Sequence, residues 1–505
     1  MKLKLLPPVF VLFLVSSCVG ISFNFSQTSQ STQTTQTSTI PQPQDYLNFW
    51  DVDTKLDVAI SISQANLMAI ETYGQEKNGQ FNDYYFPATV ELTIDNEIFT
   101  FEEVGIRQKG NIFSRGPFLN ESGRLQSPFH FRMSFDQTYD EPFYGPLNIQ
   151  KTWQALDPAY QVRKTRRLFG MKTLEFKWNR SNDPSMVNQV YASKLFKHHG
   201  VVTPHSTLTM VSLQTENQGH DVGIYTINEA IDEIFIGRHF PRAYANGDLY
   251  KALYPNELLL NQMAELNPTT NEYEFLSSKV GVENTEEFYH PTYDLKTNRR
   301  TSQHTALMNL VKTLATMNRL STPSEKLTAL NRVVDIDKFL MYVAVSYLTG
   351  NPDDMRNNMN NTYIYFDSLT NKAHFIPYDL DWSLGLTWDQ EITEKMAKKS
   401  PLSTRNSFDQ TIRNPLYWYT ILTGQQNEAT LYPMVGNYRE TYSNLVLEIY
   451  LQEPFSISAY QSLYQTKSQL YRSYSSTIES NSRFENINLF ITHFNEILNT
   501  IPNML

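Results

Sequence analysis

The sequence predicts an α+β fold in two lobes. The first lobe, about residues 57–230, is rich in segments with the two-residue alternation of β-strands. The second lobe, about residues 231–505, is dominated by segments with helical periodicity. Strands that precede helices, instead of alternating with them, are typical of α+β proteins.

Short apolar segments with strand character run through the first lobe. Asp95 and Asn96 lie between two apolar stretches and favour a hairpin turn. One helix is predicted in this lobe, Pro184–His199, because apolar residues recur on one side and Gly200 can end it. The predicted strands are Val58–Ile62, Ala88–Ile94, Phe129–Phe135, Leu174–Trp178, Ser206–Leu213 and Val222–Ile227.

The second lobe is predicted to be helical except for one hairpin. That hairpin joins Thr362–Phe366 to Ala373–Tyr378 through the turn Asp367–Lys372. The main predicted helices are Thr305–Met317, Asp335–Leu348, Leu431–Leu451 and Tyr460–Glu479.

The N-terminus has the pattern of a bacterial signal peptide. Two lysines precede the apolar run Leu5–Val15, and small residues then lead to Cys18, the only cysteine in the chain. This ending resembles a lipobox, so we expect residues 1–17 to be removed and Cys18 to carry lipid. The alternative is an ordinary signal peptide in which the cysteine occurs by chance.

Residues 18–44 are predicted to form a flexible tether after the lipidated cysteine. Asn24–Gln44 contains no charged residue, and its Ser, Thr and Gln side chains cannot bury enough surface to fold. A chain of this length spans about 25 Å, which would hold a domain off a membrane. Folded sequence is expected from about Asp45 to Leu505.

Charge and cysteine content exclude several classes of partner and site. The net charge is −10 and the basic residues are scattered, so we expect no nucleic-acid partner. A single cysteine excludes an internal disulfide and a cysteine-ligated zinc site. Residues 150–167 have the character of an insertion, and we interpret the basic run that begins at Arg163 as a solvated loop.

The strongest candidate site lies in Gly350–Gly385. Asn361 directly precedes the first strand of the predicted hairpin, and Asp379 directly follows the second. Because a hairpin brings its two ends together, we expect these two side chains to lie side by side. Asp381 adds a second carboxylate, and hard oxygen ligands of this kind suit a divalent cation such as Mg²⁺.

An Asn-rich loop before the hairpin supplies the candidate proton acceptors, Asp353 and Asp354. An Asp, four intervening residues, an Asn, a hairpin and a further Asp is the order of a protein-kinase catalytic loop. Asp353 and Asn358 satisfy that interval, but only Asn361 adjoins the strand, and we favour it for that reason. Each residue taken alone could instead serve as a turn or cap residue.

Five blocks of this chain resemble the spore-coat protein H (CotH) kinase family, and they occur in the order of the family's motifs. The Gly350–Gly385 segment resembles the pattern G-N-x-D, N-N-x-Y-x-Y and I-P-W-D-x-D, with Tyr378 in place of the tryptophan. The other blocks are Ile106–Asn111, Pro128–Phe135, Leu168–Phe196 and Gly223–Asp232.

The resemblance implies a divergent protein-kinase-like fold and specific residue roles. Asp353 or Asp354 would be the catalytic aspartate, while Asn361, Asp379 and Asp381 would be metal ligands. Mg²⁺ or Mn²⁺ and ATP are the implied cofactor and co-substrate.

The resemblance also implies two nucleotide contacts. Lys177 would contact a phosphate, although a solvated strand lysine is the alternative, and Glu229 would contact the adenine at a hinge. The chain departs from the family at Val187, where an arginine is usual. It also has Gln189 where a glutamate partner for Lys177 would be expected.

We therefore predict a lipid-anchored, monomeric protein kinase that acts outside the cytoplasm, at the cell surface or in the periplasm. It would transfer the ATP γ-phosphate to Ser or Thr of an extracytoplasmic or coat protein. The alternative is a catalytically decayed protein of the same fold that serves as an adhesin or coat scaffold.

Overall fold

The structure is a computed structural model of the 505-residue chain. It describes residues 42–75, 84–110, 114–139, 158–178, 183, 185–284, 289–384, 399–422 and 438–473. The predicted signal peptide, Cys18 and most of the predicted tether lie outside these residues.

Among the described residues, seven strands of the first half pair into a closed barrel of order β1-β2-β3-β4-β5-β7-β6. The pairs along this order are antiparallel, and β6 returns parallel to β1 to close the ring. The strands are β1 Leu56–Ser61, β2 Phe86–Ile94, β3 Glu97–Gln108, β4 Phe131–Ser134, β5 Thr173–Trp178, β6 Ser206–Gln214 and β7 Gly219–Glu229.

The barrel strands form where the sequence alternates, because alternate side chains point to opposite faces of a strand. In β1 the buried residues are Leu56, Val58 and Ile60, with more exposed residues between them. The predicted turn at Asp95 joins β2 to β3, and Asp95 has a φ of 54°. Asp tolerates this left-handed conformation better than most residues, which is why it is favoured in such turns.

Two helices pack against this barrel. The helix α1 (Gln44–Phe49) buries Tyr46 and Phe49 in the same apolar cluster as the barrel strands. The helix α2 (Gln64–Gly74) follows β1, and the Ser63 hydroxyl accepts a hydrogen bond from the backbone N–H of Asn66 at its start.

The helix α3 (Pro158–Thr165) corrects one prediction from the sequence. Its basic run was expected to be a solvated loop, but Arg163 is buried and forms an ion pair with Glu103. Arg166 donates to the backbone carbonyls of Phe135 and Glu102, at 2.6 and 2.7 Å. Arg163 and Arg166 bind backbone carbonyls of β3 and of the residue after β4, so this segment is packed against the barrel and is not a solvated loop.

The helix α4 (Asn188–His198) joins the barrel to the rest of the chain. It starts four residues later than predicted, and its Val190, Leu195 and Phe196 belong to one large apolar cluster with the later helices. The same cluster includes Leu208 of β6, so α4 packs between the barrel and the helical part of the molecule.

A sheet of order β11-β12-β8-β13-β14 forms in the second half of the described chain. The predicted hairpin is present as β13 (Thr362–Phe366) and β14 (Ala373–Pro377). The prediction that this hairpin is the only β-structure of the second half is wrong. Further strands are β8 Asp248–Ala252, β9 Ala264–Asn267, β10 Glu272–Phe275, β11 Val280–Gly281 and β12 Tyr293–Leu295, of which β9 and β10 pair with each other.

The helices of the second half begin and end at recognisable cap residues. Asp335 caps α9 through the Lys338 N–H, and Gly350, with a φ of 62°, ends it. The helices are α5 Glu233–His239, α6 Leu260–Met263, α7 Thr305–Thr316, α8 Pro323–Val333, α9 Ile336–Thr349, α10 Pro415–Thr420, α11 Tyr438–Leu451 and α12 Ile457–Tyr471. None of the described helices is long and apolar enough to cross a membrane. The mixed α+β class predicted from the sequence is confirmed.

Candidate active site

The β13–β14 hairpin brings the predicted metal ligands to one edge of the sheet. Thr362 pairs with Pro377, and one step further Tyr378 N donates to the carbonyl of Asn361 at 3.2 Å. Asn361 and Asp379 have φ angles of 48° and 61°, a conformation that Asn and Asp tolerate better than branched or bulky residues. The hairpin therefore closes as its sequence predicted.

Lys177 reaches this edge from the barrel. It lies on β5, is buried, and its ammonium group contacts a carboxylate oxygen of Asp379. The same nitrogen lies 2.9 Å from Asp381 Oδ2. The single positive charge of the lysine therefore balances half of the negative charge of two carboxylates that stand two residues apart and would otherwise repel each other.

Asp353 lies beside this group and is held by the amides of the Asn-rich loop. Its carboxylate accepts hydrogen bonds from Asn358 at 2.6 Å and from Asn361 at 2.7 Å. Burial raises the pKa of Asp353, and the negative charges of Asp379 and Asp381 raise it further.

Asp354 has a different environment, although it is the next residue. It is buried, and it accepts bonds from Ser346 Oγ at 2.5 Å and from the backbone N–H and side-chain amide of Asn357 at 2.8 and 2.9 Å. Burial raises its pKa as well. The Asp354 carboxylate thus fixes the turn after α9, whereas the Asp353 carboxylate bonds to Asn361 at the end of the hairpin.

The donor set fits a hard divalent cation. Asp379 and Asp381 offer carboxylate oxygens, and Asn361 offers an amide oxygen from the opposite end of the hairpin. These are the ligand types that Mg²⁺ and Mn²⁺ accept. Lys177 holds the carboxylates together in the structure, so a cation would take over part of the charge balance that the lysine now provides.

Asn351 is a positioning residue that the sequence analysis did not single out. Its Oδ1 accepts a bond from the backbone N–H of Asp353 at 2.8 Å, and its Nδ2 donates to the carbonyl of Asp379 at 3.3 Å. The residue therefore connects the two loops. The sequence feature that could have identified Asn351 is its position in the G-N-x-D block.

Gln189 stands near Lys177 without bonding to it. Both line a cavity of about 10 Å³ together with Asn228 and Asp379. Gln189 Nε2 donates to Asn228 Oδ1 at 2.6 Å. The partners of Lys177 are therefore aspartates from the hairpin and not a residue of the neighbouring helix.

The Glu229 carboxylate is engaged in a buried cluster of its own. It accepts a bond from the Tyr46 hydroxyl at 2.7 Å and lies 3.5 Å from Arg238 Nη1. His239 Nε2 is also 3.5 Å away. Its predicted contact with adenine remains a prediction.

This cluster resembles a metal site in residue type, since ligand atoms of His205, Glu229 and His239 lie within 4.8 Å of one another. Burial lowers the pKa of His205 to about 3, so its imidazole is neutral. However, Arg238 already balances the single negative charge of Glu229, and the Lys197 amine adds further positive potential. A divalent cation would add uncompensated charge in a buried setting, so we assign no metal here.

Comparison with known proteins identifies the family. The model of the family described as CotH kinase protein matches residues 147–465, well over half of the chain. Among curated proteins, none matches this chain. The crystal structure of a Helicobacter pylori proinflammatory kinase, CtkA, aligns with 66% of this chain and 87% of that chain, at 13% identity and a TM-score of 0.27. The match to the family model shows that the chain belongs to the CotH kinase family.

Proposed function

We propose that this protein is an ATP-dependent protein kinase of two-lobed, kinase-like layout. Residues 45–505 would form the kinase domain, with the barrel as its N-terminal lobe to about residue 230. The remainder would form the C-terminal lobe, and the catalytic group would lie where the two meet.

One observation carries this proposal. Lys177 of the barrel contacts Asp379 and Asp381 after the hairpin, and Asp353 lies beside them within the bonding reach of Asn361. These residues come from segments that are far apart in the chain. A cation, three carboxylates and an amide gathered in this way supply the parts that phosphoryl transfer needs.

The residues divide the chemical work. Asp353 would accept the proton of the acceptor hydroxyl as that oxygen bonds to the γ-phosphorus of ATP. The bond from phosphorus to the bridging oxygen breaks, and ADP leaves with the electron pair. Lys177 would contact the phosphates, and Asn351 would hold the two loops at a fixed separation.

Asp379, Asp381 and Asn361 would hold Mg²⁺ or Mn²⁺. When bound, the cation would neutralise charge on the phosphate oxygens, which is the usual contribution of a metal in this reaction. Asp354 is proposed as a structural residue, because its oxygens are taken up by the turn that positions Asp353.

The acceptor is proposed to be Ser or Thr of an extracytoplasmic or coat protein. The predicted signal peptide, the lipidated Cys18 and the tether of residues 18–44 support action at the outer face of a membrane. We further propose that the protein acts as a monomer without nucleic acid.

Phosphotransfer from radiolabelled ATP by the purified full-length chain tests the function. We expect label on a protein acceptor or on the chain itself, and the signal should require Mg²⁺ or Mn²⁺. Asp353→Asn should lower it by about two to four decades, while Lys312→Met, a change of a half-buried lysine on α7, should leave it intact. If the wild-type chain neither binds a nucleotide with metal nor transfers label, the result supports the alternative function, a catalytically decayed scaffold protein.

A further inference from the structure

Two lysines from separate sheets meet over one aromatic ring beside the catalytic group. Lys109 follows the last residue of β3 in the barrel, and Lys251 lies on β8 in the five-stranded sheet. Their ammonium nitrogens lie 5.2 and 5.1 Å from the centroid of the Tyr378 ring. Tyr378 directly precedes Asp379, so the lysines stand next to the proposed metal ligands.

Near the Tyr378 ring, the positively charged side chains outnumber the carboxylates that pair with them. Glu175 is two residues from Lys177 on β5, and Lys109 Nζ lies 2.5 Å from its Oε2. Arg132 Nε is 4.0 Å from the other oxygen, and the Tyr378 hydroxyl donates to the carboxylate at 3.3 Å. Burial opposes its ionisation, but Lys109 and Arg132 lower its pKa to about 2, so it carries one negative charge. The Glu175 carboxylate therefore pairs with both Lys109 and Arg132.

Lys251 adds a third positive charge without a direct partner. Within the described part of the chain, no carboxylate forms an ion pair with its ammonium group. Burial lowers the pKa of Lys251, and the charges of Lys296 and Lys109 lower it further, whereas Glu175 and Glu283 raise it from a distance. The neighbouring Lys296, by contrast, is paired with Asp294 and lies 3.1 Å from Glu283.

A buried or half-buried cation without an ion pair is costly unless an anion can reach it. Lys251 and Lys109 lie at the meeting of the barrel and the sheet, beside carboxylates that suit a divalent cation. An anion here would thus face positive side chains on one side and metal ligands on the other. Phosphate groups chelated to a cation have this pattern of charge.

We propose that Lys109 and Lys251 form a phosphate-binding subsite at Tyr378 that receives the polyphosphate of the nucleotide. The inference rests on the proposed kinase function, and it assigns to this pair a share of the work predicted for Lys177 alone. A phosphorylated residue of the acceptor protein would offer the same chemistry, and the two sources are separable by experiment.

Binding of three probes by the full-length chain tests the subsite: ATP with Mn²⁺, inorganic tripolyphosphate with Mn²⁺, and adenosine alone. For Lys251→Met we expect both polyphosphate probes to bind about tenfold to hundredfold more weakly, the loss of one or two charge-assisted bonds. Adenosine should bind as it does to wild type. Lys109→Met should behave similarly, which keeps the test valid if one variant fails to fold.

Two control substitutions distinguish the loss of a positive charge from a general loss of structure. Lys251→Arg should retain most of the tripolyphosphate affinity, and Lys312→Met on α7 should match wild type with all three probes. A phosphoserine peptide forms the remaining arm. If Lys251→Met weakens binding of the peptide but not of ATP, the lysines bind a phosphate of the acceptor, and their assignment to the nucleotide is overturned.

Two results would overturn the subsite while leaving the kinase function intact. The first is wild-type affinity for tripolyphosphate, ATP and the phosphopeptide in both lysine variants of a chain that transfers phosphate normally. The second is an equal loss of adenosine and polyphosphate binding, which would mean that the lysines only support the fold. Absence of phosphotransfer by wild type would instead refute the proposed function.

Discussion

The ammonium group of Lys177 binds the carboxylate of Asp379, a residue 202 positions later in the chain. The lysine lies on a barrel strand and the aspartate follows the hairpin, so the contact joins two segments that are distant in the chain. Asp381 shares the same ammonium group at 2.9 Å. A divalent cation that binds these carboxylates must therefore compete with the ammonium group of Lys177.

Replacement of Lys177 by methionine should separate metal binding from catalysis. Without the competing ammonium group, the carboxylates should bind Mn²⁺ in the absence of nucleotide about tenfold more tightly. Phosphotransfer should nevertheless fall by several decades, because a phosphate contact is lost. Titration of Mn²⁺ by calorimetry checks this, with Lys172→Met, which loses an exposed pair with Glu233, as the control. Unchanged or weaker Mn²⁺ binding in Lys177→Met would contradict the competition.

Asp353 and Asp354 should differ in kind when each is changed to asparagine. Asp353→Asn should keep nucleotide affinity while turnover falls by about two to four decades, the range for a general base. Asp354→Asn should instead lower the free energy of unfolding by about 1–3 kcal/mol, since the Ser346 and Asn357 bonds are weakened. Denaturant unfolding and single-turnover kinetics on both variants check the contrast. Equal loss of turnover at equal stability would show that our choice of Asp353 is wrong.

The two candidate metal carboxylates should be unequal. Asp379→Ala should weaken metal-dependent nucleotide binding together with activity, because a hard anionic ligand is removed. Asp381→Ala should matter less, since Asp379 lies nearer to the end of the returning strand β14 and closer to the Lys177 ammonium group. Titration of nucleotide with Mg²⁺ against both variants measures the difference. Wild-type affinity in Asp379→Ala would remove this residue from the metal site.

Lys467 should make the stability of the protein depend on pH above neutrality. It is fully buried on α12 and donates to Thr207 Oγ1 of β6 at 2.9 Å. Burial lowers its pKa to about 7 from 10.5, so the unfolded chain binds more protons between these values and stability rises with pH across that window.

Lys467→Met should remove that rise. The shift corresponds to at most about 5 kcal/mol, which the charged lysine costs below pH 7 and which the methionine avoids, less the bond to Thr207. Urea unfolding of both proteins at pH 6, 8 and 10 measures the difference in slope. Parallel pH profiles would show that the lysine is already solvated.

Cys18→Ser tests the predicted anchor. A single lipidated residue would supply the membrane attachment, so the variant should move from the membrane fraction to the soluble or precursor pool. Fractionation of cells with an antibody to the chain gives the readout, and Ser17→Ala serves as a neighbouring control. Membrane association of Cys18→Ser equal to that of wild type would contradict the predicted lipid anchor.

Much of the local structure was predictable because it depends on residues close in sequence. The alternation in Val58–Ile62 and Ala88–Ile94 gave strands β1 and β2, and Gly350 ended α9 in the left-handed conformation that glycine favours. The strands β8 and β12 were missed for a local reason too. They are short and buried without regular alternation, so their sequences carry no two-residue signal.

The sequence by itself determined the hairpin and the polar residues at its two ends, because strand periodicity and turn residues act over a few positions. It left open which of Asp353 and Asp354 contacts the hairpin end, which residue pairs with Lys177, and which group bonds to the Glu229 carboxylate. Tertiary structure decided these. Lys177 pairs with Asp379 and Glu229 accepts from Tyr46 of α1, residues that are far away in the chain, while Asp354 accepts from Ser346, eight residues earlier on α9. Local sequence patterns predict which face of a helix or strand is polar, but the tertiary packing determines which group contacts that face.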